Sequence, residues 1–122
     1  MRALGNKGED YAVKLLKKAH YKILERNFTV RGGEIDIVAS DSGTLVFVEV
    51  KMRKNSDFGT PAEFVTYGKQ RKIIYAANCY LEKNGLFSLP CRFDVVEIIG
   101  IVNEKGKIKV SEANIIKNAF SC

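Results

Sequence analysis

Apolar residues recur at helical spacing near the start of the chain. Between about Leu4 and Ala19, the residues Ala12, Leu15, Leu16 and Ala19 fall on one side, with Lys14, Lys17 and Lys18 turned away. The spacing predicts an amphipathic first helix. From Tyr21 to Val30 the chain is rich in Tyr, Ile, Phe and Val, the composition of a strand or strand pair, and Arg31-Gly32-Gly33 stops it. Two further strand-forming runs, Glu34 to Ser40 and Leu45 to Met52, are joined by Asp41-Ser42-Gly43-Thr44, the clearest hairpin in the sequence. Arg53 to Gly59 reads as a polar loop, and Thr60-Pro61-Ala62-Glu63 as a capping box with proline at the first helical position. Gly68 is unfavourable inside a helix by about 1 kcal/mol relative to alanine. The expectation is therefore a short turn at 61–65 and a main helix from Tyr67 to Lys83, with Thr66 as N-cap and Asn84-Gly85 as the stop. Arg92 to Ile99 is another strand, Lys107 to Val110 is expected to pair with it through the turn at 103–106, and Ala113 to Phe120 reads as a terminal helical turn or docked tail. The order is α-β-β-β-α-β-β, which predicts an α/β or α+β domain with helices covering a mixed sheet.

Composition bounds this picture. The 122 residues, 46% apolar and 28% charged, fit one globular domain spanning 1–122 with an ordinary core. No apolar run approaches the ~20 residues of a membrane helix, and the first ten residues lack the apolar stretch of a secretory signal, so the expected location is the cytoplasm. The net charge of +6 suits a polyanionic partner without identifying one. Cys79, Cys91 and Cys122 have no C-x-x-C spacing and the only histidine is His20, which leaves a zinc site or a Ser-His-Asp or Cys-His mechanism without parts. The cysteines are expected to be reduced, with Cys79 in the core. Catalysis here must run on carboxylates, lysine and metal.

Strand alternation sharpens that conclusion. In Leu45 to Lys51, the side chains of Leu45, Phe47, Glu49 and Lys51 share one face and Val46, Val48 and Val50 the other. In the partner strand Glu34, Asp36 and Val38 share a face and Ile35, Ile37 and Ala39 the opposite one, which places Asp36 within an apolar strand. Buried acids are costly unless partnered. A four-residue loop at 41–44 sets Asp36 opposite Glu49 and a three-residue loop sets it opposite Val48; the first is expected, or a bulge with the same result. Two carboxylates that close repel unless a cation lies between them, and oxygen ligands of this kind suit Mg²⁺ or Mn²⁺. Lys51 would then reach a phosphate or the attacking water.

Asp36, followed after a hairpin by Glu49-Val50-Lys51, resembles the D…(D/E)-x-K signature of the PD-(D/E)xK superfamily, whose fold is restriction endonuclease-like. More specifically, five segments resemble the YraN family of small bacterial proteins, which is similar in turn to archaeal Holliday junction resolvases. They are Gly8-Glu9, the run from Gly33 to Ala39, Phe47-Val48-Glu49-Val50-Lys51, Lys69-Gln70 and Asn118-Ala119-Phe120. The resemblance implies Asp36 and Glu49 as ligands of Mg²⁺ or Mn²⁺ and Lys51 as the residue that positions or activates water. It also implies Glu9 as an additional acid near the metal and Gln70 as a helix residue leaning over the site. Ile35 stands where the superfamily name has proline.

Plainer readings stand beside these. Glu9 could be a solvated first-turn acid favoured by the helix dipole. Glu49 and Lys51 could be an exposed ion pair worth little. Gln70, in line with Ile73, Ile74 and Ala77, could be a buried glutamine bonded to backbone. Arg31, Arg53, Lys54, Lys69, Arg71 and Lys72 flank the acids and could form a solvated face, yet their clustering favours DNA as partner. The leading expectation is a metal-dependent endonuclease acting on DNA, branched or otherwise structured, and a homodimer if it resolves junctions symmetrically. The alternatives are a non-catalytic DNA-binding or adaptor module on the same fold, and a subunit whose basic surface meets an acidic protein.

Overall fold

The computed structural model describes residues 6–54 and 65–121. Helix α1, Asn6–Lys18, buries Ala12, Val13 and Leu16 and exposes Lys14, Lys17 and Lys18. Of the stripe read from the sequence Ala12 and Leu16 are packed and Leu15 half-buried, while Ala19 lies past the helix end and is exposed and Val13 joins the buried side. The helix stops at His20, which takes the left-handed conformation (φ 71°) while the Tyr21 N–H closes onto the Leu16 carbonyl at 2.9 Å. Three antiparallel strands follow: β1 at Lys22–Val30, β2 at Gly33–Asp41 and β3 at Thr44–Arg53. Helix α2, Tyr67–Asn84, is capped by the Thr66 hydroxyl, which accepts the Lys69 N–H at 3.1 Å, and ends at Gly85 with φ 64°. The expected turn at 61–65 and its capping box lie largely outside the described residues. Strand β4, Cys91–Val102, runs parallel to β3, and β5, Ile108–Phe120, runs back antiparallel.

The five strands form one mixed sheet in the order β1-β2-β3-β4-β5, with α2 as the crossover between the parallel pair β3 and β4. A helix covers each face. Ala12, Val13 and Leu16 of α1 pack on Ile37, Ala39, Val46, Val48, Val96 and Ile98. Ile73, Ala77 and Tyr80 of α2 pack on the other face, against Ile35, Val38, Phe47 and Val95. Cys79 is half-buried against this second core, and Cys91 is exposed. The approach of α2 to the sheet is fixed at Gly33, where a Cβ would stand 2.4 Å from the Lys72 carbonyl oxygen.

Residues 113–120 form a strand where a helical turn or docked tail was expected. Ala113 and Ile115 turn toward the α1 core while Ile116, Ala119 and Phe120 turn toward the α2 core. Asn118 sits at φ 53°, and register shifts at 93/95 and 99/100 break the period-2 pattern. The apolar residues 115, 116, 119 and 120 consequently imitate helical spacing. Strand β4 also runs to Val102, past the expected end at Ile99.

Candidate active site

The β2–β3 hairpin turns on two residues, Ser42 (φ 51°) and Gly43 (φ 89°), whose positive angles match the right-handed twist of the flanking strands. The loop is therefore shorter than the four residues expected, because Asp41 pairs with Thr44. The register is unchanged, since Ser40 still opposes Leu45 and Ile37 opposes Val48. One step further, Asp36 and Glu49 would oppose each other, but the described pairing ends before them. There the Asp36 Oδ2 accepts the Val50 N–H at 2.8 Å, so a side chain takes up a β3 backbone donor just beyond the point where the pairing ends.

The regular alternation expected in β2 is also interrupted here. Ile37 belongs to the α1 core and Ile35 to the α2 core, although two residues apart should share a face. Their β1 partners are Arg26 and Phe28, and between those lies Asn27 at φ 55°. Arg26 reaches Glu9 on α1 whereas Phe28 packs under α2. Both strands thus change faces across the Asn27–Asp36 step, which is how Asp36 comes to address groups from both layers. Asparagine tolerates the left-handed region better than most residues, so an Asn between Arg26 and Phe28 was a local signal of the break.

The Asp36 and Glu49 carboxyls lie close enough to act on each other's charge. Burial pushes the Glu49 carboxyl up to about 7, and the charge of Asp36 adds to the rise while Lys69 and Lys51 oppose it. Burial likewise raises Asp36, against the Val50 N–H and Glu49 hydrogen bonds, with Glu9 adding negative charge and Lys69 subtracting it. Among the described residues the buried Glu49 Oε1 has no hydrogen-bond partner. A divalent cation fits that description, because it satisfies an orphaned buried oxygen and cancels the mutual repulsion of the pair. Among the described residues no group of three His, Cys, Asp or Glu side chains converges on a metal position, so the fit rests on Asp36 and Glu49.

Glu9 is buried beside the pair. Its Oε1 accepts from Arg26 Nε at 2.9 Å and from Asn27 Nδ2 at 3.1 Å. It lines a cleft of about 640 Å³ together with Asn27, Glu34, Asp36, Val50 and Met52. Glu49 and Lys51 are not in that lining. Lys51 is half-buried on β3, and its ammonium acts on the Glu49 carboxyl.

The helix residue that reaches the acids is Lys69, whose Nζ lies 3.8 Å from Glu49 Oε2, whereas Gln70 donates its Nε2 to the Val65 carbonyl at 2.9 Å. The Gln70 amide thus takes up the backbone bond named as its plainer reading. Arg53 is engaged with the buried Glu97, Nε to Oε2 at 2.7 Å. Arg31, Lys54, Arg71 and Lys72 are exposed. Lys69 and Lys72 flank a second cleft of about 320 Å³ with Thr29, Gly32, Gly33 and Glu34.

At the opposite end of the sheet the structure builds a network that sequence reasoning missed. The fully buried Asp94 accepts from the Tyr21 hydroxyl (2.9 Å), Arg92 Nε (2.9 Å) and the Asn118 N–H (2.9 Å). Arg92 also donates to Asp41 at 2.7 Å and holds that carboxyl below its ordinary range. Burial pushes the Tyr21 hydroxyl up to about 12, helped by Asp94. Phe120 stacks on Phe93 with centroids 4.9 Å apart. The closing Asn118-Ala119-Phe120 segment therefore clamps β5 onto β4.

An α-β-β-β-α-β-β chain on a five-stranded mixed sheet, helices on both faces, is a restriction endonuclease-like α/β domain. The model of the uncharacterised protein family UPF0102 matches residues 8–98, from the first turn of α1 to the middle of β4. A UPF0102 protein of Caldicellulosiruptor saccharolyticus is 45% identical over 120 residues, 98% of both chains. Another from Symbiobacterium thermophilum is 44% identical over 119 residues, 98% of this chain and 97% of its own. A third, from Geobacter metallireducens, is 53% identical over 97 residues, 80% of each. The chain belongs to the UPF0102 family, the YraN family that its motifs resemble. Among the described residues no helix is long and apolar enough to cross a membrane.

Proposed function

We propose that this protein is a metal-dependent DNA endonuclease that hydrolyses phosphodiester bonds at the Asp36–Glu49 pair. The observation that carries the reading is the buried Oε1 of Glu49, which has no hydrogen-bond partner among the described residues and stands near a second carboxyl where the β2–β3 pairing ends. A purely structural acid would be given a donor, as Asp94 and Glu97 are. Asp36 and Glu49 would hold Mg²⁺ or Mn²⁺, which supplies a lowered water pKa and positive charge facing a phosphate. The Val50 N–H fixes the Asp36 carboxylate in place. Lys51, beside Glu49, is a compact ammonium that stabilises the charge developing on the phosphoryl oxygens. The net charge of +6 favours a polyanion such as DNA, and branched DNA would need two symmetric cuts by a homodimer.

One observation favours the alternative of a non-catalytic DNA-binding module: Lys69 already brings a cation within 3.8 Å of Glu49. Cleavage of labelled duplex, branched and single-stranded DNA with Mg²⁺ or Mn²⁺ decides between them, with wild type beside Asp36→Asn and Lys51→Ala. Single-turnover cleavage by the wild type, cut on the order of a hundredfold or more by either substitution, is the expected result. Binding in Ca²⁺ should change little for Lys51→Ala. Binding of DNA with no cleavage of any substrate would transfer the reading to the binding module.

A further inference from the structure

Positive charge is divided unevenly between the two basic residue types. The half-buried arginines Arg26, Arg53 and Arg92 are each tied to buried carboxylates: Glu9, Glu97 and Asp94. Much of the outward charge is left to lysines, and three of these come together in a cleft none of the flanking motifs pointed to. Lys7 and Lys14 of α1 meet Lys107 of the β4–β5 turn across about 360 Å³, with Tyr11 and Ile108 as apolar lining. Among the described residues the one acid in the cleft, Asp10, accepts Arg26 Nη2 at 2.6 Å, so its charge is already met. The turn is held in shape by Asn103, whose Oδ1 accepts the N–H groups of Lys105 (3.0 Å) and Lys107 (2.9 Å).

The cleft shares its helix with the carboxylate site. Along the first turns of α1, Gly8 and Glu9 line the carboxylate cleft while Lys7, Asp10, Tyr11 and Lys14 line the basic one. Strands β3 and β4 are parallel, so the β4–β5 turn leaves the sheet at the end where β3 carries Glu49 and Lys51. We propose that the Lys7–Lys14–Lys107 cleft is a binding site for the nucleic-acid backbone, which it grips beside the phosphate presented to Asp36 and Glu49. Ammonium groups supply phosphate contacts without base readout, and the Tyr11 and Ile108 side chains meet sugar. The assignment of the neighbouring phosphate rests on the nuclease reading; the binding site itself does not.

The test is equilibrium binding of a short labelled DNA duplex in EDTA, titrated with salt. Three proteins of matched thermal stability are compared: wild type, Lys14→Glu/Lys107→Glu, and a control of equal charge change, Lys18→Glu/Lys22→Glu, on exposed residues at the other end of α1 and the start of β1. The cleft pair is expected to weaken binding roughly tenfold or more and to reduce the slope of log K against log salt by about 2. The control should change affinity by less than about threefold. Equal losses in both variants, or no DNA binding by wild type, would overturn the proposal. Divalent ions are absent, so cleft-dependent binding without later cleavage in Mg²⁺ or Mn²⁺ removes the nuclease reading alone. Cleavage that survives an unaltered salt slope removes the cleft alone.

Discussion

Replacing Glu49 by glutamine should stabilise the metal-free protein at neutral pH while leaving it unchanged in acid. The Glu49 carboxyl titrates near 7 in the fold against an ordinary value of 4.5, because burial and Asp36 disfavour its charge. A group whose folded pKa is raised binds its proton more tightly in the native state. It contributes stability in full below about pH 4.5 and loses that contribution as pH rises through about 7. A separation of about 2.5 pH units at 1.36 kcal/mol per unit is on the order of 3 kcal/mol, withdrawn from the wild type by pH 8. Glutamine carries no charge at any pH, is nearly isosteric, and can donate its amide to Asp36. The variant should therefore be more stable than wild type above pH 7, by up to that amount, or roughly 10 °C in Tm for a domain of this size.

The assay is urea unfolding of both proteins in EDTA from pH 4 to pH 8.5. The quantity of interest is the difference in unfolding free energy between variant and wild type at each pH. Titrating groups away from the pair, including Asp41 with its lowered pKa, cancel in that difference, whereas Asp36 responds to the loss of the Glu49 charge and contributes to it. The expected curve is flat below pH 4.5 and rises through neutrality. Adding Mg²⁺ or Mn²⁺ should raise the wild type at pH 8 and leave the variant nearly unmoved. A difference independent of pH would show that Glu49 is an ordinary carboxylate and that nothing strains the pair.

Three further outcomes follow from geometry elsewhere. Asp94→Ala removes the acceptor of Tyr21, Arg92 and the Asn118 N–H from a fully buried position, and should cost on the order of 4 kcal/mol in urea unfolding, with β5 amides losing hydrogen-exchange protection first. Gly33→Ala places a Cβ 2.4 Å from the Lys72 carbonyl and should cost about 2 kcal/mol or more, whereas Gly43→Ala, with open space but φ 89°, should cost only about 1 kcal/mol. Asn27→Ala should lower stability by about 1–2 kcal/mol through its left-handed backbone and the lost bond to Glu9; in Asn27→Gly the backbone part of that loss should be recovered.

The elements with clean periodicity were legible in the sequence. The stripe of Ala12, Leu15 and Leu16, the hairpin at 41–44 and the Thr66 cap all rest on local rules, and the structure follows them to within a few residues. The hairpin register was legible in part: Ser40 opposes Leu45 as expected although the loop has two residues rather than four, while the alternation expected in β2 breaks between Ile35 and Ile37. Strand β5 was not, since the bulges and Asn118 erase its period. Nor was Asp94, which sits in an apolar strand much as Asp36 does but is paired with Tyr21, Arg92 and Asn118, all distant or nearby partners that only folding assembles.

The two aspartates, Asp94 fully buried and Asp36 half-buried, differ in what the protein supplies around them. Asp94 has a hydroxyl, a guanidinium and a backbone N–H, all supplied by the protein. Its charge is compensated whatever binds. Asp36 has one backbone N–H and then a second carboxyl, with Glu9 adding negative charge and a half-exposed Lys69 the nearest relief. Folding could have placed an arginine there, as arginines of the same sheet reach Glu9 on α1 and Asp94 and Glu97 on β4. Leaving the compensation to a half-exposed lysine keeps the Asp36–Glu49 pair short of positive charge, and on the nuclease reading proposed above that shortage is what a divalent cation and its phosphate would meet.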